Sequence, residues 1–209
     1  MTDLIRFYGD SISGNCYKLQ HACAELDLEY DWHEMNILAG DTQREKFLAM
    51  NANGKVPLME LPDGRFLPES NAILCYLADG GALAGADRYA KANVLQWLFF
   101  EQYSHEPLIA TSRFIVKYLG SPPERAADLA AKQPGGYRAL GVLEQTLRDQ
   151  HFLANNEFSI ADISLYAYTH VAHEGGFSLE NYPAVRAWLR RIEARPRYVA
   201  MRSASAGHQ

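Results

Sequence analysis

The stretch NGKVPLMELPDGRFLPESNAILCYLAD, residues 53–79, decides how the chain folds. Two short apolar runs, KVPLMEL and RFLP, flank a Pro62-Asp63-Gly64 turn, which predicts two strands paired as an antiparallel hairpin. Pro57 lacks a backbone donor and belongs at the first residue or the edge of a strand. The run ESNAILCYLAD then puts Ile73, Leu74 and Leu77 on one face of a helix that opens at Glu69-Ser70.

Toward the N-terminus, LIRFYG reads as a short buried strand closed by Gly9, and LEYDWHEM as a second strand. Between them Tyr17, Leu19, Ala22, Cys23 and Leu26 recur at helical spacing and predict a helix over 15–25. Strand, helix and strand in that order make a βαβ unit, whose strands are parallel and whose crossover is right-handed. A short helix is expected around 42–50. The order βαβ, helix, ββα over residues 1–79 is that of a thioredoxin-like α/β domain.

Beyond it, GGALAGA at 80–86 is small and uncharged and reads as a linker. Residues 87–209 read as an all-helical domain. Its first long run, from RYAKAN to FIVKYL, contains Pro107, which should kink or break it. PPERAADLAAKQ and GYRALGVLEQTLRDQ form a second region, expected to be interrupted near Pro134, Gly135 and Gly136. SIADISLYAYTHVAH and PAVRAWLRRIEA are the third and fourth. Ser159 and Asp162 form a capping box, with Phe158 and Ile163 as its hydrophobic staple.

Composition narrows the function. At 209 residues, 48% hydrophobic and 22% charged, the chain is an ordinary globular protein with room for a sizeable core. A net charge of −5 argues against a nucleic-acid binder. No apolar run reaches the ~18 residues of a membrane span, and MTDLIRFYGD lacks the pattern of a secretory leader. Three separated cysteines, Cys16, Cys23 and Cys75, suit free thiols in a reducing compartment, so a cytoplasmic location is expected. No motif with metal-ligand spacing is present, and His170 and His173 on one helix read as structural; no metal is expected.

Two places point to a ligand. A cis Val56–Pro57 bond would present the Val56 backbone to an extended peptide; a trans proline ending a loop is the other reading. The Ser70 amide and hydroxyl, at a helix start, suit a carboxylate, and Glu69 suits an ammonium group. A ligand with both is an amino acid or a γ-glutamyl peptide. Simple capping by Glu69 and Ser70 stands beside that reading.

Taken together, Ser13-Gly14-Asn15-Cys16, NGKVPLMEL, ESNAILCYLAD and SIADISL resemble the cytosolic glutathione transferases, of the bacterial, serine type, over nearly the whole chain. The resemblance implies a thioredoxin-like N-terminal domain that binds glutathione as co-substrate, an all-α C-terminal domain, and a homodimer. Ser13 stands where redox relatives carry the first cysteine of C-x-x-C. A serine hydroxyl stays protonated at neutral pH but can donate a hydrogen bond to a sulfur anion. A free thiol has a pKa of about 8.5, and lowering it by one to two units takes about 1.4–2.7 kcal/mol, the size of one hydrogen bond to a charged group. Ser13 is therefore expected to steady the glutathione thiolate rather than attack covalently, with Ser11 as the competing hydroxyl. Asn15 would assist or cap the helix, and Cys16 and Cys23 are expected to be buried.

By the same resemblance Glu69 and Ser70 hold the γ-glutamyl end, the Val56 backbone the cysteinyl portion, and Lys55 (with Arg44 as alternative) the glycyl carboxylate. Tyr103, His105 and Arg113, with Phe114 and Tyr118, are the expected acceptor-lining residues of the helical domain. The implied activity is conjugation of glutathione to a small electrophile, a detoxification chemistry. Glutathione-dependent disulfide reduction and a non-catalytic binding module are the alternatives.

Overall fold

The computed structural model describes residues 4–202. Residues 1–3 and 203–209, which the expected domain boundaries include, lie outside the described residues. Two compact units divide the chain. One holds the residues up to Asp79 together with the segment from Arg197 onward, and the other spans Gly80–Pro196.

The first unit is built on a four-stranded mixed sheet in the order β2-β1-β3-β4. Strands β1 (Ile5–Gly9) and β2 (Tyr30–Glu34) are parallel and joined through helix α1 (Gly14–Leu26). Strands β3 (Leu58–Glu60) and β4 (Phe66–Pro68) form the antiparallel hairpin, and β3 also pairs antiparallel with β1. A short 3₁₀ turn (Asp41–Gln43) and helix α2 (Glu45–Leu48) lead into β3, and α3 (Ser70–Ala78) follows β4. The sequence order βαβ, helix, ββα is thus realised. Phe7, Leu58, Met59, Tyr17, Leu19, Ile73 and Leu74 are all fully buried and form the core between the sheet, α1 and α3.

The division differs from the expected linker at 80–86 and domain at 87–209. The segment 80–86 contains a 3₁₀ turn, Ala82–Ala84, and goes with the helical unit. The chain from Arg197 returns to the first unit. There the Tyr17 hydroxyl donates to the Val199 carbonyl at 2.6 Å, and the Arg197 guanidinium donates to the Glu25 carbonyl at 3.1 Å. The Tyr198 ring meets His21 edge-on. These polar contacts are distant in sequence, so no local pattern announces them.

The helical unit contains α4 (Arg88–Phe100), α5 (Glu106–Arg113), α6 (Ala126–Leu147), α7 (Ile160–Thr169) and α8 (Pro183–Glu193). Pro107 does not break the first run. It sits in the first turn of α5, where a missing amide hydrogen is harmless, and a π-helical turn at Glu101–His105 precedes it. A second π turn spans Phe114–Tyr118. The expected interruption of α6 is also absent: the helix continues through Pro134, Gly135 and Gly136. The two glycines serve contact instead. A Cβ added at Gly136 would stand 2.3 Å from the Phe177 ring, and one at Gly135 would stand 2.8 Å from Leu108. Among the described residues no helix is long and apolar enough to cross a membrane.

The capping box at α7 is present as expected, and Asp162 does more than cap. Its fully buried carboxylate accepts from the Leu153 amide (3.0 Å), the Ser159 amide (3.0 Å), the Ser159 hydroxyl (3.2 Å) and the Trp188 indole (2.9 Å). Even so, burial raises its pKa to about 6, while burial lowers that of His170 at the end of the same helix to about 4.

Gly136→Ala is expected to lower the unfolding free energy by up to about 2 kcal/mol in chemical denaturation, because a gain of about 1 kcal/mol in helix propensity offsets only part of an overpacking cost of about 1–3 kcal/mol against buried Phe177. A second prediction concerns pH. Between about 4 and 6 the folded protein keeps a proton on Asp162 that the unfolded chain has released, so this group makes stability fall as pH rises. Between about 4 and 6.5 the unfolded chain protonates His170 while the fold keeps it neutral, so this group makes stability rise. Asp162→Asn removes only the first effect. The stability difference, variant minus wild type, should therefore grow between pH 4 and 6 by up to about 1.4 kcal/mol per pH unit, measured by urea unfolding.

Candidate functional site

The strand register assembles the site. Leu58, the first residue of β3, pairs with Tyr8 on one side and Pro68 on the other. Three segments therefore converge at one end of the sheet: the turn after β1 at 10–13, Val56-Pro57 before β3, and Glu69-Ser70 after β4. Two of the three carry groups that suit a ligand by their own chemistry, the resemblance adds Ser13 in the first, and the hairpin and the β1–β3 pairing bring them together.

The turn after β1 is set by Asp10. Its side chain accepts from the Ile12 amide at 3.0 Å, and its carbonyl accepts from the Ser13 amide at 3.0 Å. This Asx turn delivers Ser13 to the N-cap of α1 with extended backbone (φ −76°, ψ 130°). The Ser13 carbonyl accepts from the Tyr17 amide at 2.9 Å, yet its side chain makes no capping bond. The hydroxyl instead lies within hydrogen-bonding reach of the Cys16 sulfur. Gly9 lets the helix start come this close: a Cβ there would stand 2.7 Å from the Trp32 ring and 2.9 Å from the Cys16 sulfur. Ser11 is half-buried, and its amide donates to the Glu34 carboxylate at 2.8 Å. The Trp32 indole donates to the other Glu34 oxygen at 2.7 Å.

The Val56–Pro57 bond is cis. Lys55 is exposed, and its carbonyl accepts from the Asn51 side-chain amide at 2.8 Å. Arg44 precedes α2 and pairs with Asp41 at 2.8 Å. Glu69 occupies the N-cap position of α3 but makes no side-chain cap, which removes the plain capping reading for it. Its backbone is left-handed in φ (+73°, ψ 112°), a conformation that costs a non-glycine residue about 1–3 kcal/mol and that concentrates at functional sites. Its side chain is exposed. Ser70 is buried, and its hydroxyl donates to the Asn15 side-chain oxygen at 3.3 Å.

One residue of this cluster escaped the sequence reading. Lys18 is fully buried, and its ammonium donates to the Ser70 hydroxyl and to the Asn71 side-chain oxygen, each at 3.3 Å. A signal existed, since Lys18 lies between the core residues Tyr17 and Leu19 on a helix whose neighbouring positions are apolar. Asp10 and Glu34 escaped as well, because both act through backbone amides that no side-chain motif reveals.

In the helical unit the expected acceptor residues scatter. His105 is fully buried, with its ring nitrogen 3.0 Å from the Thr169 hydroxyl. Arg113 is buried and pairs with Glu174 at 2.6 Å, while Lys117 holds the second Glu174 oxygen at 2.7 Å. Both residues, expected to line the acceptor site, are thus buried and bonded within the helical unit. Tyr103 is 87% exposed and borders a groove of about 330 Å³ with Phe100, Leu108 and Arg138. Tyr103 and His105 are two residues apart, a spacing that puts them on different sides of a helix.

A thioredoxin-like sheet with a cis-proline strand start, followed by an all-helical unit, defines a class that comparison with known proteins makes specific. Residues 12–79 match the model of the glutathione S-transferase N-terminal domain, and residues 92–196 that of the C-terminal domain. A solved glutathione S-transferase from Pseudomonas fluorescens is 52% identical with a TM-score of 0.93, the match covering 95% of this chain and 98% of that one. Glutathione S-transferase 1 of Schizosaccharomyces pombe is 29% identical over 208 residues, covering 87% of this chain and 88% of the relative. The disulfide-bond oxidoreductase YfcG of Escherichia coli is 28% identical over 189 residues, covering 87% of each. The chain belongs to the glutathione S-transferase family.

The thiols of this site are poor nucleophiles. Burial pushes the Cys16 thiol up to about 12, against the opposing hydrogen bond from Ser13, and burial pushes Cys23 up to about 12 as well. Native alkylation at pH 8 is expected to modify the half-buried Cys75 well before Cys16 or Cys23; peptide mapping that finds Cys16 labelled first would reverse this assignment.

Proposed function

We propose that the protein conjugates the thiolate of glutathione to small electrophilic compounds, with the Ser13 hydroxyl donating a hydrogen bond to the sulfur. The observation that carries this reading is Ser13 at the N-cap of α1 with its hydroxyl not engaged in capping the helix. A hydroxyl and the positive end of a 13-residue helix both favour a sulfur anion over a thiol. That the hydroxyl already reaches one sulfur, on Cys16, supports it as a partner for another.

In this reading the Val56 backbone meets the cysteinyl portion of glutathione, Glu69 and Ser70 meet its γ-glutamyl end, with Asn15 behind Ser70, and Lys55 meets its glycyl carboxylate. The convergence of these segments at one end of the sheet supports the placement. Ser11 and exposed Tyr103 remain the acceptor-side residues of the proposal. A homodimer in a reducing, cytoplasmic setting belongs to the same reading, supported by family membership and by three free cysteines.

A second reading, glutathione-dependent disulfide reduction, is favoured by the likeness to YfcG. The buried Cys16 removes the protein's own thiol from that chemistry, so glutathione itself would carry the sulfur exchange. Turnover of a hydroxyalkyl disulfide far above that of halogenated aromatics would select it.

The test follows thiolate absorbance of bound glutathione against pH. The bound thiol is expected to titrate about one to two units below the free value of about 8.5. Ser13→Ala should return it by about one unit and lower kcat/KM roughly 10- to 100-fold. Glutathione bound with an unshifted thiol, or full turnover in Ser13→Ala, would refute the mechanism.

A further inference from the structure

The turn that carries Ser11 and Ser13 has no backbone donor to spare. The Ser11 amide donates to the Glu34 carboxylate at 2.8 Å, the Ile12 amide to the Asp10 carboxylate at 3.0 Å, and the Ser13 amide to the Asp10 carbonyl at 3.0 Å. Successive free amides in a turn make an anion-binding concavity. Here all three are committed, two of them to carboxylates. What residues 11–13 can still donate to a ligand comes from the Ser11 and Ser13 hydroxyls.

Glu34 adds charge to that surface. It ends β2 with its side chain exposed, one carboxylate oxygen on the Ser11 amide and the other on the Trp32 indole at 2.7 Å. Both donors are neutral, and among the described residues no cation pairs with it. The two bonds therefore fix the carboxylate against the turn and leave its charge uncompensated. That charge is felt by sulfur nearby: after burial, which dominates, Asp10 and Glu34 both push the Cys16 thiol further up. We propose that Glu34 is a specificity-determining residue: its carboxylate repels an anionic acceptor from the Ser13 turn and reserves the site for electrophiles without negative charge. The proposal rests on the reading that glutathione is conjugated beside Ser13, and it deepens that reading by naming the class of acceptor.

The experiment compares chlorodinitrobenzene with chlorodinitrobenzoate, which differ by one carboxylate. In each, an electron pair of the glutathione thiolate forms the carbon–sulfur bond, and chloride leaves with the carbon–chlorine pair. Each kcat/KM is divided by the uncatalysed rate with glutathione, so that intrinsic reactivity cancels. Wild type is expected to favour the uncharged acceptor about 10-fold, the effect of one like charge a few ångströms away near a protein surface. Glu34→Gln, similar in shape but uncharged, should bring that preference below about threefold, and Glu34→Asp should retain most of it. Raising the salt to about 1 M shortens the screening length to about 3 Å, which should shrink the wild-type preference and leave that of the glutamine variant. Thermal melting monitors folding; should the glutamine variant not fold, the salt series on wild type decides. If Glu34 only held the turn, its loss would lower both rates by one factor and leave the ratio unmoved. A wild type that conjugates both acceptors equally, a ratio unmoved in Glu34→Gln, or a wild-type ratio insensitive to salt overturns the assignment while conjugation stands. Conjugation of neither acceptor overturns the transferase reading, and the role of Glu34 with it.

Discussion

Everything at the candidate site depends on one residue's pairing. Leu58 is bonded into the sheet between Tyr8 and Pro68, and that register leaves three chain segments at the same sheet end. Leu58 and Met59 point to opposite faces of the strand and both are fully buried, so apolar packing holds β3 from both sides. The site is therefore a by-product of hydrophobic burial in the hairpin. Its polar groups are held where they are by apolar ones.

What converges there is mostly backbone and helix-end chemistry. Two helices, α1 and α3, begin in the same region, and each begins with a residue whose side chain declines the usual capping role. Ser13 turns its hydroxyl toward sulfur, and Glu69 adopts a left-handed backbone with its side chain outward. Neither side chain satisfies the free amides of its own helix start. Asp10 and Glu34 contribute by bonding the amides of the connecting turn, which fixes the turn without occupying the helix starts.

The α/β unit was legible because its signals are local. The Pro62-Asp63-Gly64 turn, the helical spacing from Tyr17 to Leu26 and the helix opening at Ser70 each depend on neighbours within a few residues. The helical unit was less legible where proline and glycine act through distant partners. Gly135 and Gly136 look like a break, yet they are tolerated inside α6 because Leu108 and Phe177 occupy the space of their missing side chains. Pro107 looks like a break, yet it falls in the first turn of α5, directly after a π-helical turn. At the site, Ser13, Val56 and Ser70 could be found from residue type and spacing. Lys18 left only a weak signal, its place between Tyr17 and Leu19, since a lysine's burial depends on what α3 sets against it.

The return of the chain to α1 at Tyr17 and Val199 has a temporal consequence. The first unit is not contiguous along the polypeptide: its opening helix waits for a partner that is translated only after the entire helical unit. During synthesis, at a pace of roughly 5–20 residues per second, the nascent sheet must persist for several seconds with the Tyr17 hydroxyl and one side of His21 uncovered. Residues 1–79 released by themselves would keep that incompleteness permanently, because the carbonyl that Tyr17 reaches lies beyond the whole helical unit.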